Sequence, residues 1–600
     1  MQSSQRTNTS HPSRRDFLQT MAVGAAGLTA LAAYGGERRQ PNVVMILTDD
    51  QGWGDLSLNG NSNLATPHID RLAAKGTVLD KFYVQPVCAP TRAEMLTGRW
   101  YPRTGVHGVT RREEWMNLDE VTMGDVFKGG GYATGCFGKW HNGSAYPYHP
   151  NGRGFDEFYG FCCGHWGHYF DSTLEHNGEP VRAGGYINDA VAEHALKFID
   201  ANQDAPFLCY VAFNTPHSPF QVPDKWYEKF ANRELAMRHR EPKKEETEKT
   251  RCVLAMCENI DWNVGRIVDR VQDLGLERDT IFVYFSDNGP NTWRWNGNMR
   301  GKKGYTDEGG VRSPCLVAWP GAIPAGKETG KVAGAIDLLP TLCALTGVAP
   351  PERPLDGRSL TPLLLDTEAP WPDRAIFAHS PNNRFTSIRT QQYRAGGNAK
   401  GLFDMVADPA QRKDLSGEMP ELHQELQERI AAWRREVLPK EPPDRPVPAG
   451  YPEFPLTVLN AQDGIASGDI RWSSRHPNAS FFENWHDVDD TMAWDIEVQT
   501  AGAYDVEVLY TCPPEDVGAG LEVAFKGATQ KAVIENAFDP PLKDQRDRVE
   551  RAESYEKDFR PLPMGHMRLD KGRGKFVLRA LSKPGTEVCD VRAVRLRLRA

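Results

Sequence analysis

Long apolar segments are missing from the body of this 600-residue chain, and so is any surplus of positive charge. After the N-terminal region, no apolar run approaches the roughly 20 residues of a membrane-spanning helix, so we expect no stable membrane span there. The 80 acidic residues outnumber the 71 lysines and arginines and give a formal net charge of −9. Nucleic-acid binding needs clustered basic charge, so this class of partner is not expected.

Paired Cys-x-x-Cys motifs, internal repeats and low-complexity segments are also absent from the sequence. A structural zinc site built from thiolate pairs is therefore not predicted. The eleven cysteines are an odd number, which fits one special thiol and up to five disulfides. Cys512 and Cys589 could pair in an oxidising compartment, and ordinary buried thiols are the alternative.

The N-terminus has the features of a targeting segment. Residues 13–18 read Ser-Arg-Arg-Asp-Phe-Leu and precede an apolar, Gly/Ala-rich stretch that ends in a small-residue cleavage candidate at residues 30–32. Paired arginines before Phe-Leu resemble a bacterial twin-arginine export signal. We expect residues 1–33 to be a signal peptide of an exported, periplasmic or extracellular protein; an amphipathic tail or an uncleaved anchor is the alternative.

The length of the chain predicts two or more domains. From residue 41 to about 435, short apolar runs alternate with helical patterns, which indicates βαβ units around a mostly parallel sheet. Residues 42–47, 207–213 and 280–285 are continuously apolar, as expected of strands that helices cover on both faces. The sequence therefore predicts an α/β domain over residues 41–345.

The composition changes after residue 435. Residues 436–456 hold seven prolines, which favours a stiff linker over a helix or a central strand. Beyond it the apolar period becomes two: Tyr504, Val506 and Val508 would share one strand face, and Val594 and Leu596 would share another. We therefore expect an accessory antiparallel β-sandwich over residues 457–600.

Polar clusters follow four of the predicted strands of the α/β domain. Because ligands bind beyond the carboxyl ends of the strands in open α/β sheets, we expect these clusters to converge at one sheet edge. Their sequences are Thr48-Asp49-Asp50, Gly138-Lys139-Trp140-His141, Asn214-Thr215-Pro216-His217 and Ser286-Asp287-Asn288.

Two of these clusters offer only oxygen donors: Asp49 with Asp50, and Asp287 with Asn288. Such a set suits calcium or magnesium and suits zinc poorly. A lone Asp-Asp pair would more simply be a helix N-cap or a solvated turn. Two strand-end pairs together favour a metal site.

The motif Cys88-Ala89-Pro90-Thr91-Arg92 is the most informative segment. Pro90 suits the first turn of a helix, which would place Cys88 where free N–H groups favour anions. The cysteine could be a buried structural thiol, an activated thiolate or a modification site. The first two do not explain Pro90 and Arg92 beside an oxygen-only metal site.

Together these motifs resemble the formylglycine-dependent (type I) sulfatases of the alkaline phosphatase superfamily, over about residues 41–435. The likeness extends to Thr97-Gly98-Arg99 and to residues 300–304 and 308–314. It implies an alkaline phosphatase-like fold, a catalytic core over residues 41–345, and a small α+β C-terminal subdomain over residues 346–435 closed by a helix near 420–435.

The resemblance also implies the chemistry. Cys88 would be oxidised to formylglycine by a formylglycine-generating enzyme or an equivalent, and its diol would form a covalent sulfo-enzyme intermediate. A calcium ion, with magnesium less expected, would be held by the modified Cys88 and by Asp49, Asp50, Asp287 and Asn288. The implied roles of the remaining residues are that Arg92 braces the diol, Lys139 and Lys303 (rather than Lys302) contact the sulfate, His217 protonates the leaving alcohol, and His141 deprotonates the second hydroxyl.

The substrate is expected to be a sulfated carbohydrate, because aromatic side chains cluster near these motifs. The candidates lie in an aromatic and imidazole-rich loop that starts near residue 158 and just after the second metal pair, and are His165, Trp166, His168, Trp293 and Arg294. Two alternatives stay open: a phosphodiesterase or phosphonate-ester hydrolase of the same superfamily, and a non-catalytic sulfated-glycan-binding protein in which Cys88 stays a thiol.

Overall fold

The computed structural model describes residues 39–599, so the predicted signal peptide at residues 1–33 lies outside the described residues. A ten-stranded mixed sheet is the centre of the first domain, in the order β11-β2-β10-β9-β1-β8-β4-β5-β6-β7. A further pair, β3 and β12, forms a separate two-stranded sheet. The strands are β1 Asn42–Thr48, β2 Thr77–Leu79, β3 Phe82–Tyr83, β4 Ala133–Lys139, β5 Glu157–Phe161, β6 Thr173–His176, β7 Glu179–Arg182, β8 Phe207–Ala212, β9 Thr280–Ser286, β10 Cys315–Ala318, β11 Lys327–Thr329 and β12 Ala333–Gly334.

The five central strands β9, β1, β8, β4 and β5 are parallel, and both faces of the sheet are buried. Alternation along β1 shows the cause: Val44 and Ile46 join the core on one face, while Val43, Met45 and Leu47 join the core on the other. Helices Pro67–Ala74, Ile187–Ala201 and Thr247–Asp273 cover the first face, and helices Cys88–Thr97, Met123–Gly129 and Leu338–Thr346 cover the second. Short helices complete the domain at Asp224–Tyr227, Glu308–Val311 and Thr361–Leu365.

A four-stranded antiparallel sheet follows, as the family resemblance implied. It consists of β13 Ile376–His379, β14 Thr386–Arg389, β15 Tyr393–Gly396 and β16 Leu402–Asp404. Helix Pro420–Val437 packs on it through Leu426 and Ile430, which share a core with Ile388 and Ala395. No helix in residues 39–599 has the length and apolar character needed to cross a membrane.

The C-terminal part is a sandwich of two six-stranded sheets, formed by β17–β28 and here called the sandwich. One sheet has the order β17-β22-β27-β24-β25, with β19 beside β22; the other has the order β20-β21-β28-β23-β26, with β18 beside β28. Tyr504, Val506 and Val508 of β23 point into the shared core, as the period of two predicted. The strands are β17 Val447–Ala449, β18 Leu456–Asn460, β19 Ile465–Ala466, β20 Arg471–Trp472, β21 Phe482–Glu483, β22 Thr491–Val498, β23 Gly502–Thr511, β24 Gly520–Phe525, β25 Ala528–Val533, β26 Arg560–Leu569, β27 Gly572–Ser582 and β28 Asp590–Leu598.

Two expectations need correction. The predicted linker contains β17, which pairs in parallel with β22; Pro448 is accommodated because β17 is an edge strand. Residues 158–161, expected in a loop, lie in β5 beside β4.

The sequence left two states open for Cys512 and Cys589. The structure has the buried free thiols, and no disulfide forms within the described residues.

Candidate active site

The four polar clusters meet at one edge of the main sheet, as predicted. Strands β9, β1, β8 and β4 are consecutive neighbours and run parallel, so their carboxyl ends lie side by side. The residues brought together there are Asp49, Asp50, Lys139, His141, His217, Asp287 and Asn288, and all are buried. This is the sheet edge at which open α/β folds bind ligands.

Three buried oxygen atoms of the predicted metal ligands accept no hydrogen bond in the described part of the chain: Asp49 Oδ1, Asp50 Oδ2 and Asn288 Oδ1. Ligand atoms of Asp49, Asp287 and Cys88 lie within 4.8 Å of one another. Buried oxygens without a partner are costly, and a cation at this point would satisfy them. The donor set therefore fits a hard divalent cation such as calcium or magnesium.

Local hydrogen bonds aim these oxygens. Asp50 has a left-handed backbone with φ of 69°, and its N–H donates to Asp287 Oδ1 at 3.2 Å. The amide nitrogen of Asn288 donates to Asp50 Oδ1 at 2.7 Å. This bond orients the Asn288 amide so that its oxygen can bind a metal ion. Asp49, Asp50, Asp287 and Asn288 are here called the metal cradle. The two strand ends hold each other in register.

Three cations balance the three carboxylates. Lys139 Nζ lies 2.6 Å from Asp49 Oδ2, and Lys303 Nζ lies 2.6 Å from Asp50 Oδ1. Arg92 donates to Asp287 Oδ2 from Nε at 3.0 Å and from Nη2 at 2.8 Å. Lys139 and Arg92 are fully buried and the Lys303 side chain is 20% exposed, so water screens this network of opposite charges, the floor of the site, only at Lys303.

The carboxylates respond differently to this network. Burial, and next the charge of Asp49, raises the pKa of Asp287 to about 6. Burial opposes ionisation of Asp50 as well, but the charges of Lys303 and His217 lower its pKa well below the ordinary value. In turn, the charge of Asp50 overcomes the effect of burial on Lys303 and raises the pKa of that ammonium. A bound cation would relieve the repulsion that opposes ionisation of Asp287.

Cys88 is the first residue of helix Cys88–Thr97 and is 3% exposed. The free N–H groups and the dipole of the first helical turn favour negative charge there. Arg92 follows one turn later and ties the helix to the metal cradle through Asp287. The proline of the motif lies in the first turn, as predicted.

Two histidines lie beside the site, and each donates to a backbone carbonyl from a different ring nitrogen: Nδ1 in His217 and Nε2 in His141. His217 Nδ1 donates to the Ser218 carbonyl at 2.6 Å, and its Nε2 lies 3.7 Å from Asp50 Oδ2. His141 Nε2 donates to the Val109 carbonyl at 2.9 Å, while its Nδ1 is buried without a hydrogen-bond partner in the described residues. Burial, followed by the charge of Lys139, lowers the pKa of His141 well below its usual range. His141 is therefore neutral, with a lone pair available on Nδ1.

A cavity of about 560 Å³ opens above this floor. Cys88, Lys303, His141 and His217 line its base. Two of the predicted substrate residues, His165 and Trp293, form part of the wall. Its size is in the range of small-molecule binding sites.

The other predicted substrate residues have different surroundings. Arg294 is 1% exposed, and its guanidinium binds the Asp55 carboxylate at 2.6 Å and the Asp50 carbonyl at 2.8 Å. It therefore holds the loop after β1 that carries Asp50, and it does not line the cavity. Trp166 lines a separate cavity between the core and the sandwich. His168 is buried, 3.3 Å from the Gln221 amide. The expectation that these three bind substrate is therefore not supported by their positions.

Sequence reasoning also missed part of the wall. The sandwich, which carried no recognisable chemistry, contributes His476, Asn478, Glu550 and Glu553 to the active-site cavity. No local pattern identifies these residues, because their role depends on how the sandwich docks on the core.

Comparisons with known proteins agree with this architecture. The sulfatase family model matches residues 41–348, and the model of the C-terminal region of N-sulphoglucosamine sulphohydrolase matches residues 301–436. N-acetylgalactosamine-6-sulfatase of Mus musculus is 31% identical over 414 residues, which are 62% of this chain and 74% of that protein. Arylsulfatase A of Homo sapiens is 34% identical over 426 residues, which are 64% of this chain and 80% of that protein.

A crystal structure of Ps i-CgsB in complex with k-i-k-neocarrahexaose is also similar. Its TM-score is 0.60 at 31% identity, and the match covers 66% of this chain and 94% of that one. Both family models end before the sandwich begins at residue 447. On the strength of the family match, the relatives and the shared alkaline phosphatase-like fold, this chain belongs to the sulfatase family and is a sulfuric ester hydrolase.

Proposed function

We propose that the chain hydrolyses sulfate esters of a carbohydrate, with calcium in the oxygen cradle and a formylglycine nucleophile derived from Cys88. Two observations carry this proposal. Buried oxygens of Asp49, Asp50 and Asn288 have no hydrogen-bond donor in the described residues, and ligand atoms of Asp49 and Asp287 lie within 4.8 Å of the Cys88 sulfur. Buried acceptors without donors indicate a cation, and a cysteine at a helix start beside that cation is placed to act on an anionic ester.

The proposal adds two groups to the side chains of the site: a calcium ion and formylglycine. Asp49, Asp50, Asp287 and Asn288 would hold calcium, which when bound would polarise the S–O group of the ester. Formylglycine at position 88 would supply a hydrated aldehyde as the oxygen nucleophile. The remaining roles, charge stabilisation and proton transfer, fall to other side chains of the site.

Charge stabilisation falls to the lysines and the arginine of the site. The sulfuryl oxygens are negatively charged during the transfer, and preformed positive charge beside them lowers the barrier. Lys303, which pairs with Asp50, lines the cavity and can contact sulfate oxygens, and Lys139 supports the same floor through Asp49. Arg92 keeps Asp287 ionised and in place.

The two histidines divide the proton transfers. Because its Nδ1 is committed to the Ser218 carbonyl, His217 presents Nε2 toward the site and can protonate the leaving sugar oxygen. His141 is neutral with a free Nδ1 lone pair, so it can accept a proton from the nucleophile. This matches the roles that the family resemblance implied.

The carbohydrate assignment is supported by the wall of the cavity and by the relatives. Trp293 offers an aromatic face of the kind on which sugar rings pack. One relative is named an N-acetylgalactosamine-6-sulfatase, and one similar structure holds k-i-k-neocarrahexaose.

Three measurements test the proposal. Mass spectrometry of the peptide that contains Cys88 should show a loss of about 18 Da, as the change from cysteine to formylglycine requires. Steady-state assays should show higher kcat/KM for an aryl sulfate than for a matched aryl phosphodiester. An unmodified thiol in active protein would refute the nucleophile, and a preference for the phosphodiester would favour the alternative hydrolase. Elemental analysis should find calcium and not zinc.

Export is part of the same proposal. The paired arginines at positions 14 and 15 support a twin-arginine signal that delivers the protein to the periplasm or the medium. Replacing both with lysine in the full chain should retain the enzyme in the cytoplasm of a bacterial host. Unchanged export of that variant would refute the signal.

A further inference from the structure

The sandwich forms one wall of the active-site cavity. Two of its segments reach the cavity: a turn that carries His476 and Asn478, and a loop that carries Glu550 and Glu553. Both lie outside the region matched by the sulfatase family models, which ends at residue 436. Any selectivity that this wall provides is therefore a property of this chain's own sandwich.

The loop is held rigidly against the core. Arg551 pairs with Asp547 through two bonds of 2.6 and 2.7 Å and also donates to the Gly167 carbonyl of the core. Gln221 of the core donates to Asp547 at 2.6 Å. Because Arg551 is buried and its donors are engaged in these contacts, it fixes the loop and is not available for substrate. A wall fixed in this way is preorganised for recognition.

The turn is anchored beside the second histidine. Asn478 Nδ2 donates to the Val109 carbonyl at 3.1 Å, and His141 Nε2 donates to the same oxygen at 2.9 Å. The fit is close, since a Cβ on Gly164 would lie 2.3 Å from Asn478 Nδ2 and 2.6 Å from His141 Nε2. The sandwich therefore packs against the catalytic floor with no room for a further side chain at Gly164.

Glu553 has the position that bears on the leaving group. Its carboxylate accepts a hydrogen bond from the hydroxyl of Ser218, the residue after His217. Glu553 and His217 line the same cavity, with Ser218 linking them. A sugar whose sulfate-bearing oxygen meets His217, as proposed, would therefore bring its neighbouring ring carbons to the Glu553 side of the cavity. Burial alone would raise the pKa of Glu553, but the charge of His217 and the bond from Ser218 lower it. Glu553 is thus an ionised acceptor that has no proton to donate.

Resting on the proposed carbohydrate substrate, we propose that Glu553 is a specificity residue that accepts a hydrogen bond from a free hydroxyl of the sugar next to the carbon that carries the scissile sulfate. A hydroxyl at that position donates to the carboxylate. A second sulfate there would place two negative charges together in a partly buried site, which is unfavourable. The enzyme would therefore favour a monosulfated sugar with a free neighbouring hydroxyl over its disulfated counterpart.

The test compares substrates in the full chain. The probes are 4-nitrophenyl sulfate, galactose 3-sulfate, galactose 4-sulfate and galactose 3,4-disulfate, because carbons 3 and 4 of galactose are neighbours. In Glu553→Gln, the ratio of kcat/KM for the preferred monosulfate to kcat/KM for the aryl sulfate should fall roughly 5- to 10-fold, because the amide oxygen still accepts a hydrogen bond but lacks the charge that strengthens it. The preference for monosulfate over disulfate should fall in parallel. Glu553→Asp should keep the discrimination against the disulfate, because it keeps the charge.

Asp544→Asn is the matched control. It removes the same charge from the same segment of the sandwich, but at an exposed side chain that does not line the cavity, so the substrate ratio should stay close to that of the wild type. An unchanged ratio in Glu553→Gln, or an equal fall for sugar and aryl sulfates, would overturn the specificity role. A wild-type enzyme that cleaves none of the sulfates would instead contradict the proposed function.

Discussion

The Arg294→Met variant distinguishes two possible roles of Arg294. Its buried contacts indicate a structural role, whereas its position between Trp293 and Trp295 in the sequence suggests substrate binding. The buried guanidinium binds Asp55 at 2.9 and 2.6 Å and the carbonyl of Asp50 at 2.8 Å. If Arg294 has the structural role, the variant loses stability and calcium affinity. If Arg294 binds substrate, the variant loses affinity for the substrate.

The expected size follows from burial. Arg294 and Asp55 are each 1% exposed, so removing the guanidinium leaves a carboxylate without its counter-ion away from water. Breaking a buried pair of this kind costs about 3–5 kcal/mol of folding free energy. Arg294→Lys keeps the charge but cannot donate through two parallel bonds, so it should lose less. Combining Arg294→Met with Asp55→Asn should cost less than the sum of the two single changes, because each already removes the same pair.

Chemical denaturation of the four variants measures the free energy of unfolding, and activity against calcium concentration measures the metal site. We expect Arg294→Met to need more calcium for half-maximal activity, because Arg294 holds the loop that supplies Asp50. At saturating calcium, KM for the substrate should change by less than about threefold. A raised KM with wild-type stability would refute the structural role and restore Arg294 as a substrate residue.

Three further predictions concern the nucleophile, the metal and the domain interface. Cys88→Ala should lower kcat at least ~1,000-fold while costing only about 1 kcal/mol of stability, since the nucleophile is lost but little volume is removed; substantial residual turnover would contradict the nucleophile assignment. Asp287→Asn should weaken calcium binding at least roughly tenfold in titration calorimetry, and an unchanged calcium dependence of activity would count against this ligand. Burial, and next the Asp463 carboxylate of the sandwich, raises the pKa of Glu114 to about 8 from an ordinary 4.5. The folded protein therefore keeps a proton that the unfolded chain has released, so this group makes stability fall as the pH rises from about 4.5 to about 8. Glu114→Gln should remove that slope and stabilise the protein at pH 8 by up to about 4 kcal/mol, whereas denaturation curves with the wild-type pH dependence would show that Glu114 is already ionised.

The positions of the four candidate metal ligands could be predicted because each pair directly follows a hydrophobic strand in the sequence. Asp49 and Asp50 follow β1 directly, and Asp287 and Asn288 follow β9, so the hydrophobic strands alone fix where these side chains emerge. The parallel arrangement then brings the strand ends together without further information. The same reasoning located Cys88, because Pro90 marks the start of its helix.

The errors arose where the direction of a side chain depends on distant residues. Arg294 turns toward Asp55, which lies 239 positions away in the sequence, and no local pattern encodes that choice. Residues 158–161 were expected in a loop because their aromatic and glycine composition gives no clear period, yet pairing with β4 makes them a strand. Prolines at 446 and 448 suggested a linker, but Pro448 lies in an edge strand that needs few donors.

The sandwich contribution was unpredictable for the same reason, and it changes how the active site is understood. Each of the two histidines of the site is fixed by one backbone carbonyl: His217 by Ser218 and His141 by Val109. Both of those residues also bind the sandwich, through Glu553 and Asn478, across 335 and 369 positions of sequence. Any motion that loosens the sandwich therefore loosens the supports of both histidines together. If they act as proposed, as proton donor and proton acceptor, catalysis requires both groups to be held at once, and the docking of the sandwich is then part of the catalytic geometry.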